Sequence, residues 1–158
     1  MEKILTREEL RKKIDRCRSE GRKVVFTNGC FDIIHAGHTH YLAEARALGD
    51  ILVLALNSDA SVRAIKGEKR PLVPENERAA VAAALGCVDY VVIFGETTPQ
   101  ALIDLLRPDV LVKGGDWKEE DVVGRESVMS WGGKVVIIPQ KKGLSTTNIV
   151  EKILSVYS

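Results

Sequence analysis

Five short apolar runs, separated by stretches of helical character, constrain the fold of this chain more than any other feature. The runs occupy residues 23–27, 51–56, 88–94, 109–113 and 134–138. The second run is apolar throughout instead of alternating, which is typical of a strand buried on both faces. Strands that alternate with helices form a parallel sheet between two helical layers. The sequence therefore predicts an α/β fold, a Rossmann-like three-layer sandwich around a five-stranded parallel sheet.

Local signals predict where the helices begin and end. Thr6 and Glu9 have the Thr-x-x-Glu spacing of a capping box, and Gly21 is placed to end the helix that they open. Further helices are predicted over residues 37–48, 59–65, 75–85, 100–106, 119–131 and 146–156. The 119–131 segment is predicted as one helix in spite of Gly124 inside it. At 158 residues we expect a single domain, with an N-terminal helical segment in 1–22 and the Rossmann-like core in 23–158.

The composition excludes several classes of protein. The 23 basic and 22 acidic side chains give a net charge of +1, which provides no global field to hold a nucleic acid. No apolar run approaches the roughly 20 residues that a membrane span needs, and the first ten residues lack the apolar centre of a signal peptide. The three cysteines have no Cys-x-x-Cys spacing. We therefore expect a cytoplasmic protein that binds neither nucleic acid nor membrane.

The three histidines of the chain, His35, His38 and His40, all lie where the first strand gives way to the next helix. His35 and His38 are three residues apart and can point the same way at the helix start, where free N–H groups and the helix dipole attract anions. Gly29 and Gly37 are predicted to remove side chains where a phosphate approaches the backbone. Such a site suits phosphoryl or nucleotidyl transfer, which needs charge stabilisation rather than a protein nucleophile.

Other interpretations of this segment remain open. The histidines would also suit a solvated helix start, and together with Cys30 they offer zinc ligands. Against zinc, His38 and His40 diverge on a helix, and no carboxylate follows at His-Glu-x-x-His spacing. We therefore assign no metal ligands among the protein side chains, and we interpret His40 as a surface or packing residue. Dinucleotide and P-loop chemistry are disfavoured because neither Gly-x-Gly-x-x-Gly nor a Walker A sequence follows the first strand.

The segment 27–38 resembles the signature of the nucleotidyltransferase superfamily that carries His-x-Gly-His. Three further motifs make the resemblance more specific: Asn-Ser-Asp-Ala-Ser-Val at 57–62, Lys-Gly-Gly-Asp at 113–116 and Ser-Thr-Thr-Asn-Ile at 145–149. In combination they resemble the adenylyltransferase domain of bacterial ADP-heptose synthases, the D-glycero-β-D-manno-heptose 1-phosphate adenylyltransferases. The resemblance extends from residue 23 to residue 154.

The resemblance implies transfer of AMP from ATP to D-glycero-β-D-manno-heptose 1-phosphate, with Mg²⁺ on the triphosphate. The products would be pyrophosphate and the ADP-heptose used for the lipopolysaccharide core. It also implies a homodimer, and a separate heptose 7-phosphate kinase in the same pathway. Spacing leaves the choice between ATP and CTP open, so a glycerol-3-phosphate or phosphoethanolamine cytidylyltransferase is the alternative. A non-catalytic nucleotide sensor and a zinc-dependent hydrolase are the rivals from other classes.

The resemblance also implies roles for individual residues. The catalytic set is His35, His38 and Lys66. The nucleotide-binding set adds Thr27, Asn28, Gly29, Cys30, Phe31, Gly37, Lys113, Gly114, Asp116, Ser145, Thr146 and Thr147. The substrate-binding set is Asp32, Asn57, Lys66, Arg70 and Arg78.

Several of these residues also have ordinary structural explanations. Lys66 and Arg70 would suit a solvated charged loop, Arg78 an ion pair, and Ser145 a plain helix cap. The arginine that usually ends the last motif in the wider cytidylyltransferase branch is absent here, as it is in the heptose branch. Lys141 or Lys142 is therefore a candidate phosphate contact, and Trp117 is placed to border the site.

Overall fold

The computed structural model describes residues 2–158 and contains one five-stranded parallel sheet. The strands are β1 (Val24–Gly29), β2 (Ile51–Asn57), β3 (Tyr90–Phe94), β4 (Val110–Gly114) and β5 (Lys134–Ile138). Their order in the sheet is β3-β2-β1-β4-β5, and every neighbouring pair is parallel. The predicted parallel α/β fold is confirmed.

Residues 2–158 contain seven α-helices, most of which pack on the two faces of the sheet. They are α1 (Arg7–Ser19), α2 (Ala36–Arg46), α3 (Asp59–Lys66), α4 (Glu75–Ala84), α5 (Gln100–Leu106), α6 (Arg125–Ser130) and α7 (Thr146–Tyr157). Helices α1, α5 and α6 pack on one face, and α2 and α4 pack on the other. Successive strand residues contribute to opposite faces, as with Val25 and Phe26 in β1. Within residues 2–158, no helix has the length and apolar character needed to cross a membrane.

The capping box at the start of α1 is present as predicted. The Thr6 hydroxyl accepts a hydrogen bond from the Glu9 backbone N–H at 3.2 Å, and the Glu9 carboxylate accepts one from the Thr6 N–H at 2.8 Å. Leu10, Ile14 and Cys17 then recur at helical spacing and are buried against the sheet. The capping box therefore determines where α1 begins, and the apolar stripe determines which side of the helix is buried.

The prediction of one helix over 119–131 is wrong. The segment divides into a 3₁₀ turn (Glu119–Asp121) and the short helix α6, with Gly124 between them at a φ of 91°. A Cβ atom at Gly124 would lie 2.6 Å from Cδ1 of Ile103 in α5. Close packing against α5 thus requires glycine here, and its left-handed backbone ends any continuous helix.

The strand order places a switch point between β1 and β4. From β1 the chain builds outward through β2 to β3, and it then returns to add β4 and β5 on the other side of β1. Loops that leave the carboxyl ends of β1 and β4 therefore diverge and open a crevice, which is where sheets of this kind bind ligands. Apolar periodicity carries no information about this order, but the order decides which loops meet.

Candidate active site

A cavity of about 660 Å³ lies at the carboxyl ends of the strands, where the switch point predicts one. It brings together sixteen of the predicted site residues: Asn28, Gly29, Cys30, Phe31, Asp32, His35, Gly37, His38, Asn57, Lys66, Arg70, Lys113, Gly114, Ser145, Thr146 and Thr147. Three predicted residues do not line it: Thr27, Arg78 and Asp116. Trp117 and Lys141 also line the cavity, whereas Lys142 does not.

The two histidines of the His-x-Gly-His motif cap α2 reciprocally. His35 is the N-cap residue, and its Nδ1 accepts a hydrogen bond from the Gly37 N–H at 3.0 Å. In return the Nδ1 atom of His38 accepts one from the His35 N–H at 3.3 Å. The two ring centroids lie 3.9 Å apart. The three-residue spacing is therefore that of a capping box in which imidazoles replace the usual hydroxyl and carboxylate.

This capping arrangement decides the tautomer of both rings. Because each Nδ1 accepts a hydrogen bond, the neutral imidazole carries its proton on Nε2, and each ring offers one N–H donor. Burial lowers the pKa of His35, and burial together with the neighbouring His35 lowers the pKa of His38 to about 4. At neutral pH the cavity of the unliganded protein is therefore lined by two uncharged N–H donors at a helix N-terminus.

Gly29 and Gly37 both line the cavity, and both lie against side-chain rings. A Cβ atom at Gly37 would lie 2.8 Å from Cε1 of the His35 ring, and one at Gly29 would lie 2.8 Å from Cε2 of Phe31. Glycine at position 37 thus lets the His35 ring fold back over the chain to reach the N–H that it caps.

The Phe31 ring packs against the His38 ring of the histidine pair. The Phe31 φ of 47° lies in the left-handed region, which a bulky residue adopts only when its surroundings impose it. This backbone conformation directs the ring into the core, where it lies 4.9 Å from the ring centroid of His38 and 6.5 Å from that of Tyr41. The strained backbone of Phe31 is therefore located next to His38, a candidate catalytic residue.

Cationic side chains enter the cavity from two sides of β1. Lys66, at the end of α3, and Arg70 come from the β2 side, whereas Lys113 comes from the end of β4. The Lys113 ammonium lies 5.4 Å from the ring centroid of Trp117, within cation–π range. Burial lowers the pKa of Lys113, and the nearby Lys66 ammonium acts in the same direction. The cavity thus combines a neutral donor pair with positive charge on both sides, as a polyanionic ligand requires.

Thr27 is not available to a nucleotide, contrary to the prediction. It is completely buried, and its hydroxyl donates to the Val112 carbonyl at 3.0 Å, which links β1 to β4. The Tyr41 hydroxyl lies 2.5 Å from the same oxygen and must be the donor there, because Thr27 has a single hydroxyl proton. Burial raises the pKa of Tyr41 to about 12. Tyr41 lines the cavity, although it was not among the predicted site residues.

Arg78, which was predicted to bind the substrate, does not reach the cavity either. Its side chain is fully buried and is surrounded by protein acceptors. Nη1 donates to the carbonyls of Cys30 and Asn57 at 2.7 and 2.8 Å, Nε donates to the Val73 carbonyl at 2.9 Å, and Nη2 lies 2.9 Å from the Asp59 carboxylate. With no exposed donor facing the cavity, Arg78 joins the loops after β1 and β2 instead of binding phosphate.

The remaining differences concern loops at the edges of the cavity. Asp116 is exposed and faces a small surface depression instead of the cavity. The segment 97–99, after β3, lines the cavity, although none of its residues was among the predicted site residues. The rule that ligands bind at the carboxyl ends of the strands applies to β3 as it does to the other strands. Gln140 and Leu144 also line the cavity, although neither was among the predicted site residues.

Asp32 lies at the cavity wall with its carboxylate already occupied. It accepts hydrogen bonds from the Arg70 Nε and from the backbone N–H groups of Leu72 and Val73, all at 2.8–2.9 Å. Burial alone would raise its pKa, but these donors outweigh burial and hold the pKa below its ordinary value. Within residues 2–158, no group of three or more His, Cys, Asp or Glu side chains is arranged to hold a metal ion.

Comparison with known proteins decides the family. The model of the family described as cytidylyltransferase-like matches residues 26–152, which include most of β1, the other four strands and the histidine motif. The chain belongs to this family. It is therefore a nucleotidyltransferase, as its sequence motifs predict.

Individual curated proteins resemble the chain over most of its length. It is 59% identical over 155 residues to bifunctional protein HldE of Syntrophotalea carbinolica, and 60% identical over 140 residues to HldE of Geobacter sulfurreducens. These alignments cover 98% and 89% of the chain, but only 32% and 29% of the relatives. The chain thus spans about a third of the length of these curated relatives.

A solved structure supports the same fold. The lipopolysaccharide core biosynthesis protein of Thermoplasma volcanium GSS1 superposes with a TM-score of 0.65 and is 31% identical. The match covers 77% of this chain and 98% of that protein. The cytidylyltransferase-like architecture is therefore shared by a protein of smaller size.

The structural role of Arg78 is testable by its effect on stability. We expect Arg78→Met to lower the free energy of unfolding by about 3–5 kcal/mol, because buried acceptors lose their donors. Urea unfolding measures this change. Arg63→Met, which removes an exposed guanidinium from α3, is the matched control and should change stability by less than about 0.5 kcal/mol. Wild-type stability combined with weak phosphate binding in Arg78→Met would instead support a substrate-binding role.

Proposed function

We propose that this chain transfers AMP from ATP to D-glycero-β-D-manno-heptose 1-phosphate, forming ADP-heptose and pyrophosphate. The observation that carries the reaction class is the capped histidine pair, which presents two Nε2–H donors in a cavity with cationic walls. The HldE relatives and the lipopolysaccharide core biosynthesis protein support the choice of acceptor. A role in the synthesis of the lipopolysaccharide core follows from that choice.

The proposed reaction is an in-line displacement at the α-phosphorus of ATP. An ionised oxygen of the sugar phosphate attacks, and a new P–O bond forms. The bond from the α-phosphorus to the oxygen that bridges to the β-phosphate breaks, and pyrophosphate leaves with that electron pair. His35 and His38 donate from Nε2 to the α-phosphate oxygens as negative charge develops there, and Lys66 adds positive charge.

The start of α7 is suited to the triphosphate. Ser145 is its N-cap and accepts a hydrogen bond from the Asn148 N–H at 3.0 Å, so the predicted capping role is present in the structure. Ser145, Thr146 and Thr147 also line the cavity, where hydroxyls and helix N–H groups attract phosphate oxygens. We assign these residues, with the 28–31 segment and Gly114, to nucleotide binding.

We propose that Mg²⁺ enters with the triphosphate instead of residing on the protein. No carboxylate cluster is available among residues 2–158, and Asp32 is engaged by Arg70 and backbone N–H groups. The ion neutralises part of the triphosphate charge when it is bound. The chain's own residues orient the α-phosphate and the acceptor.

We also propose a homodimer, supported by an apolar stripe on α7. Ile149, Val150, Ile153, Leu154 and Tyr157 recur at helical spacing, yet α7 buries none of its residues against the rest of residues 2–158. The exposed fractions of Leu154 and Tyr157 reach 58% and 84%. A second copy of the chain would cover this stripe. A monomeric mass from light scattering would contradict the proposal.

Two further features belong to the same proposal. We assign the heptose 7-phosphate kinase step to residues other than these 158, because the cytidylyltransferase-like match covers residues 26–152 and residues 2–158 form one sheet with its helices. The three cysteines are free, which together with the use of ATP fits a reducing cytoplasm. The heptose kinase is therefore a proposed pathway partner.

Pyrophosphate release tests the function directly. ATP and CTP are each supplied with heptose 1-phosphate, glycerol 3-phosphate or phosphoethanolamine, in the presence of Mg²⁺. We expect turnover with ATP and the heptose phosphate. Turnover with CTP and a small alcohol phosphate would replace the proposed substrate with the alternative. No turnover from folded protein that still binds nucleotide would favour a nucleotide sensor.

The role of the histidine pair is tested by His38→Ala. We expect kcat to fall by a factor of about 100 or more with little change in ATP affinity, because the lost donor acts mainly on developing charge. The control is Glu44→Ala: this exposed side chain lies on the same helix, does not line the cavity, and contacts His40 at 2.8 Å. Its kcat should stay within about threefold of wild type. A near-normal kcat in His38→Ala would refute the assignment.

A further inference from the structure

The contact between Asp32 and Arg70 joins two loops that the proposed reaction must align. Asp32 follows β1 and precedes His35 by three residues, whereas Arg70 belongs to the segment between α3 and α4. The Asp32 side chain is only 2% exposed, and its carboxylate lies 2.9 Å from the Arg70 Nε. The Leu72 and Val73 N–H groups bind the same carboxylate. One buried anion therefore holds the 70–73 segment against the loop that carries the histidines.

This contact uses only one edge of the Arg70 guanidinium. Nε faces Asp32, whereas neither Nη nitrogen has a hydrogen-bond partner in the part of the chain that the structure describes, residues 2–158. The side chain is 22% exposed and lines the cavity. A guanidinium held at Nε presents its two Nη donors as a fixed fork, which matches two oxygens of one phosphate.

The strand order indicates which phosphate this fork meets. Arg70 approaches from the β2 side of β1, and the start of α7 approaches from the β5 side. The histidine pair lies between them at the end of β1, and Thr146 contacts the same loop through the Ile33 carbonyl at 3.5 Å. An in-line displacement places the attacking and leaving groups on opposite sides of the α-phosphorus. With the triphosphate at α7, the attacking phosphate lies at Arg70.

We propose that Arg70 binds the phosphate of the acceptor and that Asp32 is the positioning residue that orients it. The inference rests on the proposed nucleotidyl transfer to a sugar phosphate and specifies how that site selects its acceptor. Lys66 and Lys113 differ from Arg70 because neither ammonium is held by a carboxylate: Lys66 is exposed, and Lys113 lies over Trp117. A phosphate monoester is therefore the feature of the acceptor that the 70–73 segment recognises.

A double-mutant cycle tests the proposal, using Asp32→Asn, Arg70→Met and the double variant. We expect Arg70→Met to raise the KM of the acceptor about 10- to 100-fold while the KM of ATP changes less than about threefold. Asp32→Asn should act in the same direction, and the double variant should be no worse than Arg70→Met. Arg70→Lys should recover part of the loss, because it restores charge without the fork.

Lys69→Met is the matched control, since it removes an exposed positive charge from the neighbouring position outside the cavity. Its KM for the acceptor should match that of wild type. Additive effects of Asp32→Asn and Arg70→Met, or an equal rise in the KM of ATP, would overturn the proposal. If Asp32→Asn fails to fold, the comparison of Arg70→Met, Arg70→Lys and Lys69→Met decides by the same KM readout.

The wild-type acceptor screen separates this inference from the proposed function. If the wild type uses glycerol 3-phosphate or phosphoethanolamine instead of the heptose phosphate, the proposed substrate fails. The cycle is then run with that phosphate acceptor, and an acceptor-specific loss in Arg70→Met still supports the inference. A sugar phosphate that turns over normally in Arg70→Met would leave the proposed function intact and refute the role of Arg70.

Discussion

The hydrogen bond from the Gly37 N–H to Nδ1 of His35 is the interaction on which the arrangement of the site depends. It fixes where α2 begins, and it brings the His35 ring back over the helix start. The returning bond from the His35 N–H to His38 places the second ring beside the first. The hydrogen bonds that cap α2 therefore also set the positions of the two catalytic rings. Because the His35 ring lies against Gly37, the motif requires glycine between its histidines.

The loops around this motif are held by buried charge rather than by apolar packing. Arg78 joins the carbonyls at the ends of β1 and β2, and Asp32 binds the 70–73 segment. Both side chains are almost completely buried, and both form hydrogen bonds to residues of neighbouring loops. Buried polar groups of this kind are costly unless they are satisfied, so the loops that satisfy them are held in place. The apolar sheet positions the strand ends, and these polar side chains connect the loops that leave those ends.

The sequence predicted the elements of the fold well because their signals are local. The run 134–138 and the helix 100–106 match the structure, and the Thr6 capping box is present with both of its hydrogen bonds. The order of the strands depends on contacts between distant segments, and no local pattern encodes it. The 119–131 helix was wrong for the same reason, since the packing of Gly124 against Ile103 is a tertiary contact.

Site residues were predictable as positions on loops but not as side-chain directions. The motifs brought sixteen predicted residues to one cavity, yet they also included Thr27 and Arg78, whose side chains turn into the protein. A side chain on a strand or a helix points either into the core or away from it. Which direction it takes depends on the residues that pack around it. Tyr41 was missed because its role comes from its contact with Thr27, which is fourteen residues away in sequence.

The capped histidines also limit the kind of acceptor that the site can activate. With both Nδ1 lone pairs engaged in the helix cap and both Nε2 atoms protonated, neither ring can serve as a general base. An alcohol would reach the α-phosphorus with its proton still attached and with no histidine to remove it. A phosphate monoester carries an ionised oxygen at neutral pH and needs no such help. The way in which one helix begins thus restricts the enzyme to acceptors that are already nucleophiles.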